Sequence, residues 1–224
     1  MISTILGVII VIKYFKYKKR ELILVGITWI LIVSPYWPDA ITFIMVLLTG
    51  NILEDGIYFF LANALIPAIH ITWSIAFSDL LLKGRKKKIF ILIMAIQAII
   101  FEIIFLSLFF IDLSLIGTRM APFYVKWTDL VVFYLLLSII MFLIMGILFV
   151  RKSLRSENKE IQLKGKFLLV AFITFAIGTM IDALGIVTEL TLVLARTFVI
   201  ISAVNFYIGF TLPKFIKELF FKEE

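Results

Sequence analysis

The sequence predicts an all-α polytopic membrane protein. The form expected is a seven-helix transmembrane bundle, N-terminus out and C-terminus in, with a short C-terminal amphipathic helix. Three observations lead there. Of the 224 residues, 63% are apolar and 17% are charged, with a mean hydropathy of +1.15; a soluble domain is about half apolar and a quarter charged. Five apolar runs, at residues 57–82, 89–111, 130–150, 167–187 and 190–212, are 21 to 26 residues long. Each can cross a ~30 Å hydrocarbon core at about 1.5 Å per residue. Finally, all but three of the 22 Lys and Arg residues fall in four short patches beside apolar runs.

Helices are the form these runs must take. An open sheet would leave its edge amides unpaired in lipid, and a barrel needs a polar–apolar alternation that the runs lack. A disordered chain is excluded by composition. The absence of cysteine excludes a disulfide scaffold and a Cys-ligated metal site.

Taken in order, the first element is the apolar run 2–12, with no basic residue before it and Lys13, Lys16, Lys18, Lys19 and Arg20 after it. A secretory signal has the opposite order, so the run is expected to be a retained first span. The lysine stems and Tyr14, Phe15 and Tyr17 would extend it into the headgroup region. Residues 22–50 are harder to assign, because Pro35-Tyr36-Trp37-Pro38-Asp39 divides them into two short runs. Two crossings would put the next basic patch outside. One broken or strongly kinked span is therefore favoured over a span plus a re-entrant segment. The run 57–82 contains Pro67, and the remaining four are uninterrupted spans. After Pro213, Phe215, Ile216, Leu219 and Phe220 recur at helical spacing opposite Lys217, Glu218 and Lys222, the pattern of an interfacial helix. The division expected is a transmembrane domain over 1–212 and an interfacial tail over 213–224.

The other patches are Lys83 with Arg85–Lys88, then Arg151, Lys152, Arg155, Lys159, Lys164 and Lys166, and lastly Lys214, Lys217 and Lys222. Short Lys/Arg-rich loops stay cytoplasmic, which fixes the orientation and implies a multi-pass protein of the cell membrane. Residues 51–56, 112–127 and the turn at Thr188-Glu189 then face outward. The +7 formal charge thus reports topology and attraction to anionic lipid headgroups, with no nucleic-acid partner expected.

Ionisable groups inside spans mark sites. Asp182 and Arg196 lie about 8 and 9 Å below the outer face of neighbouring antiparallel spans at 1.5 Å per residue, so an ion pair is expected there. It serves either as a clamp between helices or as part of a ligand site. Glu102 and Asn63 fall in the same outer half, and Asn63, Glu102, Asp182 and Arg196 form a candidate small-ligand layer. The alternative for Glu102 is a neutral carboxyl bonded to a nearby carbonyl. His70, the single histidine, with Gln97 at comparable depth, is a candidate proton or polar relay, against the plainer role of a hydrogen-bonded interior imidazole. Asp79, near the inner end of its span, is expected to pair with nearby lysines. Gly178 and Gly185, seven apart, are expected to mark close helix packing.

No metalloprotease, phosphate-loop or nucleophile-elbow motif is present in the sequence. The last span holds no lysine for a retinal Schiff base. No enzyme activity, metal or cofactor is expected.

Trp37-Pro38, Tyr58 followed by Pro67 and Trp73, and the closing Phe206-Tyr207-Ile208-Gly209-Phe210-Thr211-Leu212-Pro213, together with the topology, resemble the seven-helix membrane sensor regions of prokaryotic histidine kinases and related stand-alone seven-helix proteins. The resemblance implies an outer signal and a cytoplasmic output domain. Only a short tail follows the last run here, so signalling is expected to pass through a cytoplasmic or membrane protein partner. A sensor role is the leading expectation. A small transporter or channel component and a structural subunit are the alternatives.

Overall fold

The computed structural model describes residues 2–185 and 188–221. Six of its helical segments are long and apolar enough to cross a membrane: Arg20–Thr49, Asp55–Leu81, Gly84–Ile111, Asp129–Leu154, Lys159–Ala183 and Leu190–Thr211. The chain is thus, in outline, a membrane protein built almost wholly of helices. It divides into two compact units at Tyr134/Leu135, inside one continuous helix.

The first unit opens with α1 (Ile2–Tyr17), which has 16 residues and so a length of about 24 Å. That is short of the usual ~30 Å core and leaves six spans by length and composition. Lys18, at φ 54°, turns the chain back into α2 (Arg20–Leu31). The two helices meet backbone to backbone: a Cβ on Gly7 would lie 2.6 Å from the Gly26 carbonyl oxygen, and one on Gly26 would lie 2.7 Å from that of Gly7.

After α2 the chain makes one 3-10 turn at Ser34–Tyr36 and resumes as α3 (Trp37–Thr49). The break falls where Pro35 and Pro38 withhold amide donors. The two halves form one 30-residue apolar segment, as a single broken span requires. Gly50, at φ 72°, ends α3. A second break separates α4 (Asp55–Asn63) from α5 (Ile66–Leu81) at Ala64-Leu65. Pro67 sits in the first turn of α5 and offers no N–H to the Asn63 carbonyl, so the interruption appears a turn upstream of the proline. Next comes α6 (Gly84–Ile111), which starts earlier than the apolar run at 89 and takes Arg85–Lys88 into its first turns.

The stretch 112–127, expected as a loop, contains the antiparallel strands β1 (Gly117–Ala121) and β2 (Tyr124–Trp127), with a register shift between Arg119 and Ala121. It lies outside the spanning segments, so the argument against sheet in lipid does not apply to it. Thr118, Tyr124, Val125 and Trp127 are good strand formers around the Pro122-Phe123 turn.

α7 (Asp129–Leu154) carries the chain into the second unit, followed by α8 (Lys159–Ala183), α9 (Glu189–Thr211) and α10 (Lys214–Phe220). The core of this unit is aromatic: the Phe172 ring lies 5.1 Å from Phe142 and 4.9 Å from Phe206. Its glycines admit close neighbours. Gly146 faces the Phe172 ring, and a Cβ on Gly178 would stand 2.8 Å from the Ala195 carbonyl oxygen on α9. Gly185 differs from its expected packing role: at φ 62° it lies beyond the end of α8, and its N–H bonds to the Asp182 carbonyl. It is a helix-ending glycine, chosen for its backbone conformation. Residues 186–187, at the end of the expected sixth run, and Lys222 of the tail lie outside the described residues. In α10, Ile216 packs with Leu163 and Leu212, whereas Phe215, Leu219 and Phe220 are exposed.

Candidate functional site

Loop and helix ends gather the most elaborate polar cluster of the first unit around Arg119. Arg119 borders the register shift in β1, and its side chain is only 4% exposed. Its Nη1 donates to the Leu53 carbonyl and lies 3.3 Å from Asp55 Oδ1. Its Nη2 donates to Thr42 Oγ1 at 3.2 Å and to the Pro122 carbonyl at 2.6 Å. The guanidinium carbon stands 4.4 Å from the Tyr58 ring centroid, and the Tyr58 hydroxyl donates to Asp39 Oδ1. One planar cation thus ties the hairpin to α3 and α4 together. The fork geometry of arginine suits this task, and the ring face beneath it adds a cation–π contact.

Below the clasp, the pairings of Asp39 with Tyr58 and, through Arg119, of Thr42 with Asp55 describe one antiparallel register between α3 and α4. Continued inward, it sets Ser34 level with Asn63, and the 3-10 turn packs on α4. Both side chains are at most 1% exposed. The Asn63 amide nitrogen donates to the Phe59 carbonyl at 3.0 Å, which turns Oδ1 away from its own helix. Ser34 Oγ and Asn63 Oδ1 have no hydrogen-bond partner among the described residues. The two helix breaks therefore bring buried acceptor atoms to one level.

The structure joins the expected relay residues. His70 Nδ1 lies 2.9 Å from Gln97 Oε1, and the Tyr134 hydroxyl lies 3.3 Å from the same nitrogen. The Gln97 amide and the Tyr134 hydroxyl thus meet the same ring nitrogen. Glu102 is half-buried, and its Oε2 has no partner among the described residues. No hydrogen bond joins Glu102 to Asn63 among those residues. Asp79 pairs with Arg20 at 2.8 Å and Lys87 at 2.6 Å, so the start of α2, the end of α5 and the start of α6 share one level.

In the second unit, Arg196 Nη1 lies 3.5 Å from Asp182 Oδ2, with both side chains partly exposed. Asn63 and Glu102 thus belong to one unit and Asp182 and Arg196 to the other. Glu160 at the start of α8 pairs with Lys217 of α10, which brings the third basic patch and the tail together.

Sequence reasoning missed Arg119, Asp39, Thr42, Asp55 and Tyr58. One signal was present: Arg119 is among the three basic residues outside the four patches, on the side expected to hold Asp55. What it could not supply was the hairpin that buries the side chain. Comparisons with protein-family models, curated proteins and solved structures found no match. The class that stands is that of a multi-pass helical membrane protein.

Proposed function

We propose that this chain is a sensor-like protein of the cell membrane, with α1 as a seventh span, the N-terminus outside and the C-terminus inside. The orientation draws support from the ion pairs: Arg20–Asp79–Lys87 gathers the first two basic patches at one end of the first unit, and Lys217–Glu160 gathers the other two in the second. Short basic loops at one level are the arrangement that positive-inside sorting produces. The antiparallel packing of α1 on α2 favours its place among the spans. α10 would lie on the inner leaflet, with Phe215, Leu219 and Phe220 in the lipid boundary.

The observation that carries the sensor reading is the Arg119 clasp. An outer-face hairpin grips two spans, each broken below the grip, so a ligand that competes for the guanidinium would shift the balance between two packings. The basic inner loops would present that change to a cytoplasmic or membrane protein partner. In the chain's cysteine-free background, a single cysteine at Thr118 should react with an impermeant maleimide in intact cells, and one at Ser156 should not. A reporter fused after Lys88 or Lys159 should read cytoplasmic. Ligand-dependent thermal stabilisation without solute flux, lost in Arg119→Gln, is the result expected of a sensor.

A second reading, transport, is favoured by the partnerless oxygens of Ser34, Asn63 and Glu102 and by the His70–Gln97–Tyr134 cluster. Unwound helix junctions with free acceptors are where transporters hold ions. Solute flux in reconstituted vesicles that disappears in Glu102→Gln would select this reading and overturn the first.

A further inference from the structure

We infer a binding site for an anionic glycerophospholipid headgroup in the groove between the end of α7 and the start of α8. The groove is open to its surroundings, has a volume of about 870 Å³ and is lined by Leu148, Arg151, Lys152, Ser153, Arg155, Ser156 and Ile161. Three cations face it and no carboxylate lines it.

This patch gathers three of its cations along one groove. Arg20 and Lys87 share Asp79, Lys217 has Glu160, and Lys214 has Glu218. Arg151, Lys152 and Arg155 have no acidic partner among the described residues. Glu157 stands on the same turn but does not line the groove. The amides at the start of α8 take no part, because Asn158 Oδ1 accepts from the N–H groups of Glu160 and Ile161. The hydroxyl of Ser156 accepts from the Asn158 N–H, and its own proton remains to donate. Two arginine forks, an ammonium and a serine hydroxyl match the donor needs of a phosphate ester.

The location selects the lipid source. The groove closes the inter-helix turn between the spans Asp129–Leu154 and Lys159–Ala183, where headgroups lie. Leu148 and Ile161 at its edge are each 44% exposed and offer an apolar path for acyl chains. A soluble phosphate compound would gain nothing from that edge. The assignment rests only on these two helices crossing the membrane, and holds for a sensor or a transporter alike.

The test is native mass spectrometry of the full chain, released from micelles containing phosphatidylglycerol and phosphatidylcholine. The wild type should retain phosphatidylglycerol preferentially. Arg151→Gln with Arg155→Gln should weaken that retention roughly twenty-five-fold, at about fivefold per basic residue near the surface. Arg85→Gln with Lys86→Gln removes equal charge from another inner patch and should leave retention nearly unchanged. Lys152→Gln, at an exposed position, gives an intermediate loss and covers a misfolded double variant. Equal losses in the groove and control variants would reduce the effect to diffuse surface charge and overturn the site. Absence of preference over phosphatidylcholine overturns it too. Thermal stabilisation by inorganic phosphate in phosphatidylcholine micelles, lost in the groove variant and unaccompanied by lipid retention, would reassign it to a soluble phosphate ligand.

Discussion

The two units use different means to hold helices together. In the first, both of the segments Arg20–Thr49 and Asp55–Leu81 are interrupted, and polar contacts accumulate: Arg119 on four oxygens, Asp79 on two cations, His70 on Gln97 and Tyr134. In the second, α8 and α9 run unbroken for 25 and 23 residues, and phenylalanine rings and glycines fill the packing beside the Asp182–Arg196 and Glu160–Lys217 pairs. The difference follows from lipid as solvent. Helices as apolar as the lipid gain little by burying apolar surface, so straight ones associate through close packing of small residues. Broken ones expose backbone acceptors at depth, where only protein or water can cover them.

The contrast can be broken first at Arg119. Replacing it with Gln should cost about 3 kcal/mol, the scale for removing one partner of a buried charged cluster, read as loss of thermal stability in detergent. Arg119→Lys should restore only a minor part, because an ammonium cannot fork across Thr42 and Asp55. An unchanged melting temperature would mean the hairpin does not clasp α3 and α4.

A smaller effect is expected from Gly178→Ala, at about 2 kcal/mol, since its methyl group would press on the Ala195 carbonyl and packed backbone cannot yield. Gly56→Ala, whose Cβ would meet nothing closer than 3.7 Å, is the control and should be neutral or stabilising. Comparable losses at both positions would remove the packing argument for the second unit.

Smaller again is the coupling between Asp182 and Arg196. A double-mutant cycle with Asn and Gln should give about 1 kcal/mol or less, given a 3.5 Å pair with both groups partly exposed. Coupling several times larger would mean that the pair clamps α8 to α9 far more strongly than its exposure implies.

The smallest effect concerns Asp112, which begins the outer loop. Hydrogen bonds from the backbone N–H and side chain of Ser114 hold its carboxyl below the ordinary aspartate range. A lowered folded-state pKa stabilises the turn above the unfolded value, and the contribution is lost as pH falls through the folded one. The protection factor of the Ser114 amide, taken against its intrinsic exchange rate at each pH, should therefore fall on acidification, and Asp112→Asn should remove that dependence.

Much of the first unit's outline was legible in residue order, and its clasp was not. Proline withholds a donor wherever it stands, so Pro35, Pro38 and Pro67 announce both breaks. Asp79 with nearby cations and His70 with Gln97 follow from matching depths along straight helices. Arg119 escaped because its partners lie 64 to 77 residues away for Asp55 and Thr42, brought together by a strand pairing that no periodicity reports. Glu102 remains as the sequence presents it, a carboxyl in an apolar helix.

The sequence by itself determined that the chain is built for a membrane, which runs become helices and where two of them break, because hydrophobic length and missing amide donors act locally. Only the tertiary structure set Arg119 on its distant partners and turned Arg151, Lys152 and Arg155 toward one groove. Ion pairing depends on separations of a few ångströms between residues far apart in the chain, and those are set by packing.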